Sequence, residues 1–201
     1  MYIETANNLR ELYGFPVGRA KEKVLGELEE HSIRFIRHSP FVVIASRAST
    51  GSLDCSPRGG KPGFVKVRDE KRVLIPDSKG NNRLDSLINI VETGYCGCLF
   101  LIPGVDETLR LNGSAKISVN AAHLALFADE KNPPKSCIEL NIEEVFLHCA
   151  KSLMRSKLWA IESQVERTVL PTIGKMLSDQ LGLNEEPESQ DDMIARYMRD
   201  L

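Results

Sequence analysis

Alternating apolar and polar positions divide the middle of the chain into short strands. From residue 108 to residue 119, apolar residues such as Leu109, Leu111 and Ile117 alternate with polar residues such as Arg110 and Lys116. A period of two predicts a strand with one face in a core and the other toward solvent, a ligand or a partner. The runs FVVIA, RVLI and CGCLFLI are typical of buried strands, and IELNIEEVFLHC alternates again.

Two longer segments follow the helical period instead. Residues 18–36 place Leu28, Phe35 and other apolar residues amid Lys, Glu and Arg, which predicts an N-terminal amphipathic helix. Residues 150–180 predict a C-terminal helix with an apolar stripe that includes Met154 and Leu158. The acidic tail, residues 184–201, is expected to be loosely ordered until its last turn.

The order of these elements indicates the fold class. Six or more short strands, with helices before, inside and after them, do not alternate regularly enough for a doubly wound sheet. A mainly β protein of the α+β kind is predicted, with a small antiparallel barrel over about residues 40–149 and peripheral helices. Residues 1–183 are expected to form a single domain that precedes the acidic tail.

The composition of the chain argues against several classes of function. The 201 residues carry a formal net charge of −2, which argues against a nucleic-acid partner. No apolar run approaches the roughly 20 residues of a membrane helix, and the polar N-terminus lacks a signal-peptide core, so a cytoplasmic protein without membrane contact is expected. Five cysteines without framework spacing indicate reduced thiols, and no structural metal site is predicted.

The segment PDSKGNNRLDSLINI, which begins at Pro76, suggests an anion site. Lys79, Asn81, Asn82 and Arg83 come directly before an apolar run of helical period. A helix start offers unpaired N–H groups and the positive end of the dipole, so nearby basic residues complete a site of phosphate size. The same residues also suit an ordinary capped helix, and the run alone leaves both interpretations open.

Other basic residues strengthen the first interpretation without naming a reaction. Arg58 lies in CSPRGG, where Pro57 and two glycines predict a tight loop, and His148 precedes Lys151 and Arg155 in HCAKSLMR. His148 and Cys149 are adjacent in a predicted strand and point to opposite faces, which disfavours a Cys/His nucleophile. The sequence contains no P-loop, no G-x-S-x-G and no H-E-x-x-H motif.

With these residues the chain resembles the pyridoxamine 5′-phosphate oxidase-like family of FMN-binding split barrels, within an uncharacterised branch. The motifs SPFVVIAS, DCSPRG, PGFV, IPDSKGNNRLDSLINI, LFLIPG, ETLRLNG and HCAKSLMRSKLW carry the resemblance in order over residues 39–159. It implies a six-stranded antiparallel Greek-key split barrel and a homodimer with FMN at the subunit interface. It places FMN contacts at Ser56, Pro57, Arg58, Ile75, Pro76, Lys79, Asn81, Asn82, Arg83, Thr108, His148, Lys151 and Arg155.

The sequence departs from the family pattern at positions that bear on the expected activity. Gly60 stands where the close branch has an acidic residue, and Ser78 stands where a basic one is usual. The C-terminal RLH segment of vitamin B6 oxidases is missing.

The expectation is a flavin-dependent oxidoreductase acting on an unidentified small molecule. Alternatives are a non-catalytic flavin module, a haem module with His148 as axial ligand, or a binder of deazaflavin or pyridoxal phosphate.

Overall fold

Seven antiparallel strands form one open sheet. The computed structural model describes residues 2–184 and 186–200. Along the sheet the strands follow the order β2-β1-β5-β6-β7-β4-β3, so β2 and β3 form the two edges and do not pair with each other within the described residues. The strands are β1 (Phe41–Arg47), β2 (Leu53–Gly59), β3 (Lys66–Asp69), β4 (Arg72–Pro76), β5 (Tyr95–Ile102), β6 (Val105–Ser118) and β7 (Cys137–His148).

The predicted fold is therefore right in class and wrong in its strand count and closure. The sheet has seven strands where six were expected, and it is open. The additional strand is β3, which pairs with β4 across a tight turn and has an irregular register between Val67 and Asp69. A four-residue edge strand with half-buried and exposed positions lacks the apolar alternation that identifies longer strands.

The segment predicted as a tight loop around Pro57 is part of an edge strand. β2 continues from Leu53 through Pro57 to Gly59, and Pro57 lies opposite Val43 of β1. A proline is tolerated there because an edge strand has one side that does not need a backbone donor. Arg58 consequently lies on a strand, and its position is set by the sheet.

Strands β5, β6 and β7 form a meander that contains the longest predicted strand. β6 pairs with both neighbours over most of its length, which confirms the alternation predicted from residue 108 onward. The register of β6 and β7 shifts between Asn112 and Gly113. At Gly113 a Cβ atom would collide with the backbone carbonyl of Asn141, so the close approach of these two strands requires glycine.

The core fills the concave face of the sheet under two helices. Phe35 and Ile36 from an N-terminal helix and Ile90 from a central helix pack with Val42 and Phe100 of the sheet. Cys96 and Cys98, two residues apart on β5, are buried on the same face of the strand. The Cys98 thiol donates a hydrogen bond to Cys96, and this bond together with burial raises the pKa of Cys98, so the thiol remains protonated.

The helix predicted over residues 18–36 is interrupted. Between α2 and α3, Leu25 forms a two-way backbone bridge with Val145 of β7, and Leu28 donates to the carbonyl of Glu70. Glu29 then begins α3 by accepting hydrogen bonds from the backbone N–H groups of His31 and Ser32. The α-helices are α1 (Ala6–Tyr13), α2 (Arg19–Glu22), α3 (Glu30–His38), α4 (Asp85–Thr93), α5 (Ala121–Leu124), α6 (Lys151–Ser156), α7 (Ile173–Leu181) and α8 (Gln190–Tyr197).

The C-terminal part also differs from its prediction. The helix expected over residues 150–180 is two helices, α6 and α7, because Lys157 adopts a left-handed conformation and Pro171 precedes α7. The tail expected to be loosely ordered contains α8, which Ser189 caps and which buries Met193. No helix in the described part of the chain is long and apolar enough to cross a membrane.

Candidate functional site

One face of the edge strand β2 carries polar side chains toward the body of the protein. Asp54, Ser56 and Arg58 alternate as half-buried residues, while Cys55 and Pro57 between them are exposed. The Arg58 guanidinium donates to the Ser56 hydroxyl at 2.5 Å and to the carbonyl of Pro57 at 2.9 Å. Of the three residues predicted from SPRG, the structure therefore brings Ser56 and Arg58 together and turns Pro57 to the opposite face.

The end of β4 meets this polar face through Asp77. The Asp77 carboxyl is half-buried, and burial raises its pKa while the nearby Arg58 guanidinium opposes that shift. Ile75 is fully buried in the main core, and Pro76 is buried directly before Asp77. After β4 the chain thus leaves the core beside Arg58. This is expected if β2 and the segment after β4 contribute to one site.

Helix α4 begins at Asp85, one residue after Leu84, where its apolar pattern starts, and the backbone before it is unusual. Asn82 and Leu84 both have φ of 61°, in the left-handed region that favours glycine. Asn81 does not cap the helix and instead accepts a hydrogen bond from the N–H of Arg83 at 3.1 Å. Among the described residues no side chain caps the α4 start at Leu84, so the first N–H groups of the helix lack the usual side-chain acceptor.

The buried face of α4 also differs from the predicted stripe. Leu87 and Ile90 face the core together with Ser86 and Asn89, whereas Leu84, Ile88 and Val91 are exposed. The Ser86 hydroxyl donates to Asp54 of β2 at 2.5 Å, and the buried Asn89 amide donates to Ser46 at 3.0 Å. The first bond holds the start of α4 against the polar face of β2, and the second holds the middle of the helix against β1.

Each basic side chain of this region faces a carboxylate. Arg83 contacts Asp85 at 2.8 Å, which raises the pKa of the arginine, with a further contribution from Asp54. Lys79 contacts Asp200, beyond the end of α8, at 2.6 Å. Arg58 of β2, together with Lys79 and Arg83 of the loop between β4 and α4, will be called the anion cluster.

A second group of predicted residues assembles where β6 and β7 meet α6. Thr108 is buried and lies directly opposite His148 in the register. α6 packs against β6 and carries the exposed Lys151 and Arg155. The indole of Trp159, just after α6, donates to the carbonyl of Val105 at 2.9 Å.

Within one chain the two groups lie on opposite faces of the sheet. Successive antiparallel pairs through β1 and β5 place Arg58 in the same row, and on the same face, as Leu109 of β6. Thr108 is adjacent to Leu109 and so points to the other face, together with its partner His148. One protomer therefore does not join Thr108, His148 and α6 to the anion cluster.

The carboxylates were not among the predicted site residues. Asp77 and Asp85 lie inside the segment already singled out, and a charge count over that segment alone would have found them. Strand pairing brings Asp54 to this region, and a helix far along the chain brings Asp200. No local sequence pattern indicates either approach. Within the described residues there is also no cluster of three or more His, Cys, Asp and Glu side chains suited to a metal ion.

The antiparallel sheet and its peripheral helices define a mainly β protein of the α+β class, with a basic cluster near the start of one helix. A family model, described as pyridoxamine 5′-phosphate oxidase, matches residues 28–149, more than half of the chain. The chain therefore belongs to the pyridoxamine 5′-phosphate oxidase-like family, as its motifs predicted. The match includes every strand and the whole anion cluster, and it ends before α6.

Several solved structures are similar to part of the chain. HupZ from Group A Streptococcus is similar with a TM-score of 0.50 at 16% identity, over 60% of this chain and 93% of HupZ. A proposed pyridoxamine 5′-phosphate oxidase from Lactobacillus delbrueckii has a TM-score of 0.48 at 18% identity, over 61% and 95%. HutZ, the haem storage protein of Vibrio cholerae, has a TM-score of 0.44 at 10% identity, over 60% and 93%. No curated protein sequence matches the chain significantly.

Proposed function

We propose that this protein binds FMN and uses it in a redox reaction on a small molecule. The observation that carries the proposal is the anion cluster: β2, the loop after β4 and the start of α4 bring Arg58, Lys79 and Arg83 to one edge of the sheet. Family membership makes a flavin phosphate the best candidate for the anion.

The chemistry of the cluster suits a phosphate. Two guanidinium groups and one ammonium group supply charged donors, and the Ser56 hydroxyl adds a neutral one. The start of α4 adds backbone N–H groups without a side-chain cap among the described residues. The left-handed Leu84 supports this assignment, because strain of this kind in a non-glycine residue is concentrated at ligand sites.

A second copy of the chain would complete the site. Thr108 and His148 lie on the face opposite the anion cluster, and Lys151 and Arg155 follow shortly after His148 on α6, so we propose that all four join the cluster from a partner in a homodimer. The apolar side chains exposed on α4 support such an interface: Ile88 is 48% and Val91 is 73% exposed. Large apolar patches of this kind usually meet a partner.

Bound FMN would supply hydride transfer, and the protein would supply position and charge. Arg58 and Arg83 would hold the phosphate, while Ile75 and Pro76 are proposed to lie near the ring through their backbone. His148 and Thr108 of the second protomer would define the edge of the pocket where the small molecule enters. This division of roles agrees with a sequence that contains no template for a nucleophile or a metal.

Absorption spectroscopy of the purified protein tests the proposal. We expect the two absorption bands of oxidised flavin, either as isolated or after adding FMN and removing the excess. Protein that is colourless and retains no FMN would overturn the proposal. A Soret band after adding haem, lost in His148→Ala, would favour the haem module, whereas retention of deazaflavin or pyridoxal phosphate in place of FMN would reassign the anion cluster.

A further inference from the structure

We propose that Asp200, which follows the C-terminal helix α8, competes with a bound phosphate for the anion cluster. The Asp200 carboxylate contacts the Lys79 ammonium, the group that would bind a phosphate. Docking of the C-terminus and binding of the phosphate therefore exclude each other at Lys79. This inference rests on the proposed function, because it assigns Lys79 to the phosphate of FMN.

Three contacts hold the end of the chain beside the anion cluster. The Asp200 carboxylate accepts from the Lys79 ammonium at 2.6 Å, and the Asp200 carbonyl accepts from the Asn132 amide at 3.0 Å. The carbonyl of Met198 accepts from the Lys131 ammonium at 3.2 Å. Two separate loops therefore fix the last residues in one place, and Asp200 is directed to Lys79.

Helix α8 has further contacts besides these three. Glu188 forms two hydrogen bonds to the Arg196 guanidinium, at 2.9 and 2.7 Å, and Met193 is only 9% exposed. The turn before α8 also packs against α7, where a Cβ at Gly174 would lie 2.7 Å from the carbonyl of Glu188. The helix thus keeps Asp200 at a high effective concentration near Lys79, even while the final contact is broken.

The contact between Asp200 and Lys79 is suited to displacement. Both side chains are open to water, with 41% and 63% of their surfaces exposed, so the pair is held weakly. A phosphate with two negative charges is the stronger ligand for an ammonium group. Asp77 and Asp85 are local neighbours of the cluster, whereas Asp200 comes from 121 residues away and can leave with its own segment.

Removing the charge of Asp200 tests the competition. In Asp200→Asn we expect FMN to bind about two- to fivefold more tightly than in the wild type, measured by quenching of flavin fluorescence. Asp191→Asn removes the same charge from the first turn of the same helix and should leave the affinity unchanged. Equal or weaker FMN binding by Asp200→Asn, or equal tightening in both variants, would overturn the inference.

Hydrogen exchange gives a second readout that does not depend on activity. Because coupling between two sites is reciprocal, saturating FMN should speed amide exchange in residues 193–200 of the wild type. In Asp200→Asn these amides should already exchange faster without ligand. Slower exchange on adding FMN would mean that the C-terminus closes over the ligand, which contradicts competition.

The two proposals fail in different ways. If wild type and Asp200→Asn bind FMN with equal affinity, the competitor is rejected and the FMN site stands. If neither binds FMN, the proposed function is rejected, and inorganic pyrophosphate becomes the probe of the cluster. Faster exchange of residues 193–200 with pyrophosphate in the wild type, absent in Lys79→Ala, would retain the competitor; unchanged exchange would reject it.

Discussion

At the scale of single residues, the anion cluster is neutralised by its own chain. Arg58 faces Asp77, Arg83 faces Asp85 and Lys79 faces Asp200. Under the proposed function, an incoming phosphate would replace a carboxylate as the partner of each cation and would not meet bare cations. The arginines differ in setting, since Arg58 is half-buried on a strand and Arg83 is largely exposed at a helix start.

Truncating either arginine should weaken FMN binding. Arg58→Ala and Arg83→Ala each remove a charge-assisted contact to the phosphate, and we expect about a tenfold loss of affinity in flavin fluorescence titrations. Arg19→Ala, on the distant helix α2, removes the same charge and should have no effect. Wild-type affinity in both cluster variants would exclude the cluster as the phosphate site.

Glu29 makes folding stability depend on pH. Burial raises its pKa, but hydrogen bonds from the Ser32 hydroxyl and from the N–H groups of His31 and Ser32 outweigh burial and lower the pKa overall. A depressed pKa in the folded state adds stability that is complete above the unfolded pKa and disappears as pH falls through the folded value.

Glu29→Gln should therefore destabilise the protein by about 0.5–1 kcal/mol at neutral pH, measured by urea unfolding. The difference from the wild type should shrink as the pH is lowered below the ordinary pKa of glutamate. Glu27→Gln, which loses only an exposed contact with Lys71, serves as the control. A difference that grew toward acid pH would contradict this role of Glu29 as the α3 cap.

The basic residues of the site could be predicted from the sequence, while their partners could not. Arg83 and Lys79 lie in one segment rich in turn residues, which identifies them without a structure. The contact of Ser86 with Asp54 spans 32 residues and depends on how α4 lies across β2. Local sequence patterns show where charged residues lie and which period the apolar residues follow. They do not show which strand edge a helix packs against.

At the scale of secondary-structure elements, the long period-two strands were predictable, as was the helix after Arg83, whereas the continuous helices predicted near each end were wrong. β6 has an alternating pattern over its whole length because one face packs in the core. The segment between α2 and α3 has apolar residues near helical spacing, yet Leu25 pairs with β7 instead. Tertiary strand pairing overrides a modest local preference for helix.

Gly113 sets the register of β6 against β7. Gly113→Ala would place a methyl group against the carbonyl of Asn141, and we expect a loss of about 3 kcal/mol or more in the free energy of unfolding. Gly26→Ala is the control, since its Cβ would lie 3.8 Å from the nearest atoms, an ordinary contact. Equal urea midpoints for the two variants would show that the strands can separate at the bulge without cost.

At the scale of the whole molecule, the two halves of the predicted site point away from each other. A complete cofactor site would need the second half from another protomer, so the opposite faces of Arg58 and Thr108 argue for a symmetric dimer. The sequence motifs predicted both halves, but only the register shows that one protomer keeps them apart.

Light scattering should give a mass of twice 22.4 kDa in solution. Val91→Glu places a charge on the exposed face of α4, the helix that follows the anion cluster, and we expect it to yield monomers that bind FMN at least tenfold more weakly. Val119→Glu, at a valine of similar exposure, 72% against 73%, should remain dimeric and retain FMN. A wild-type monomer with full FMN affinity would contradict a shared site.

The hydrogen bond from Trp159 to Val105 has an optical consequence. Trp159 is the single tryptophan of the chain, so all indole emission comes from the segment that follows α6. Detachment of that segment from β6 would expose the indole to water and shift its emission to the red. A flavin held nearby would quench it by resonance energy transfer. The protein thus carries its own fluorophore at the boundary between the sheet and its C-terminal helices.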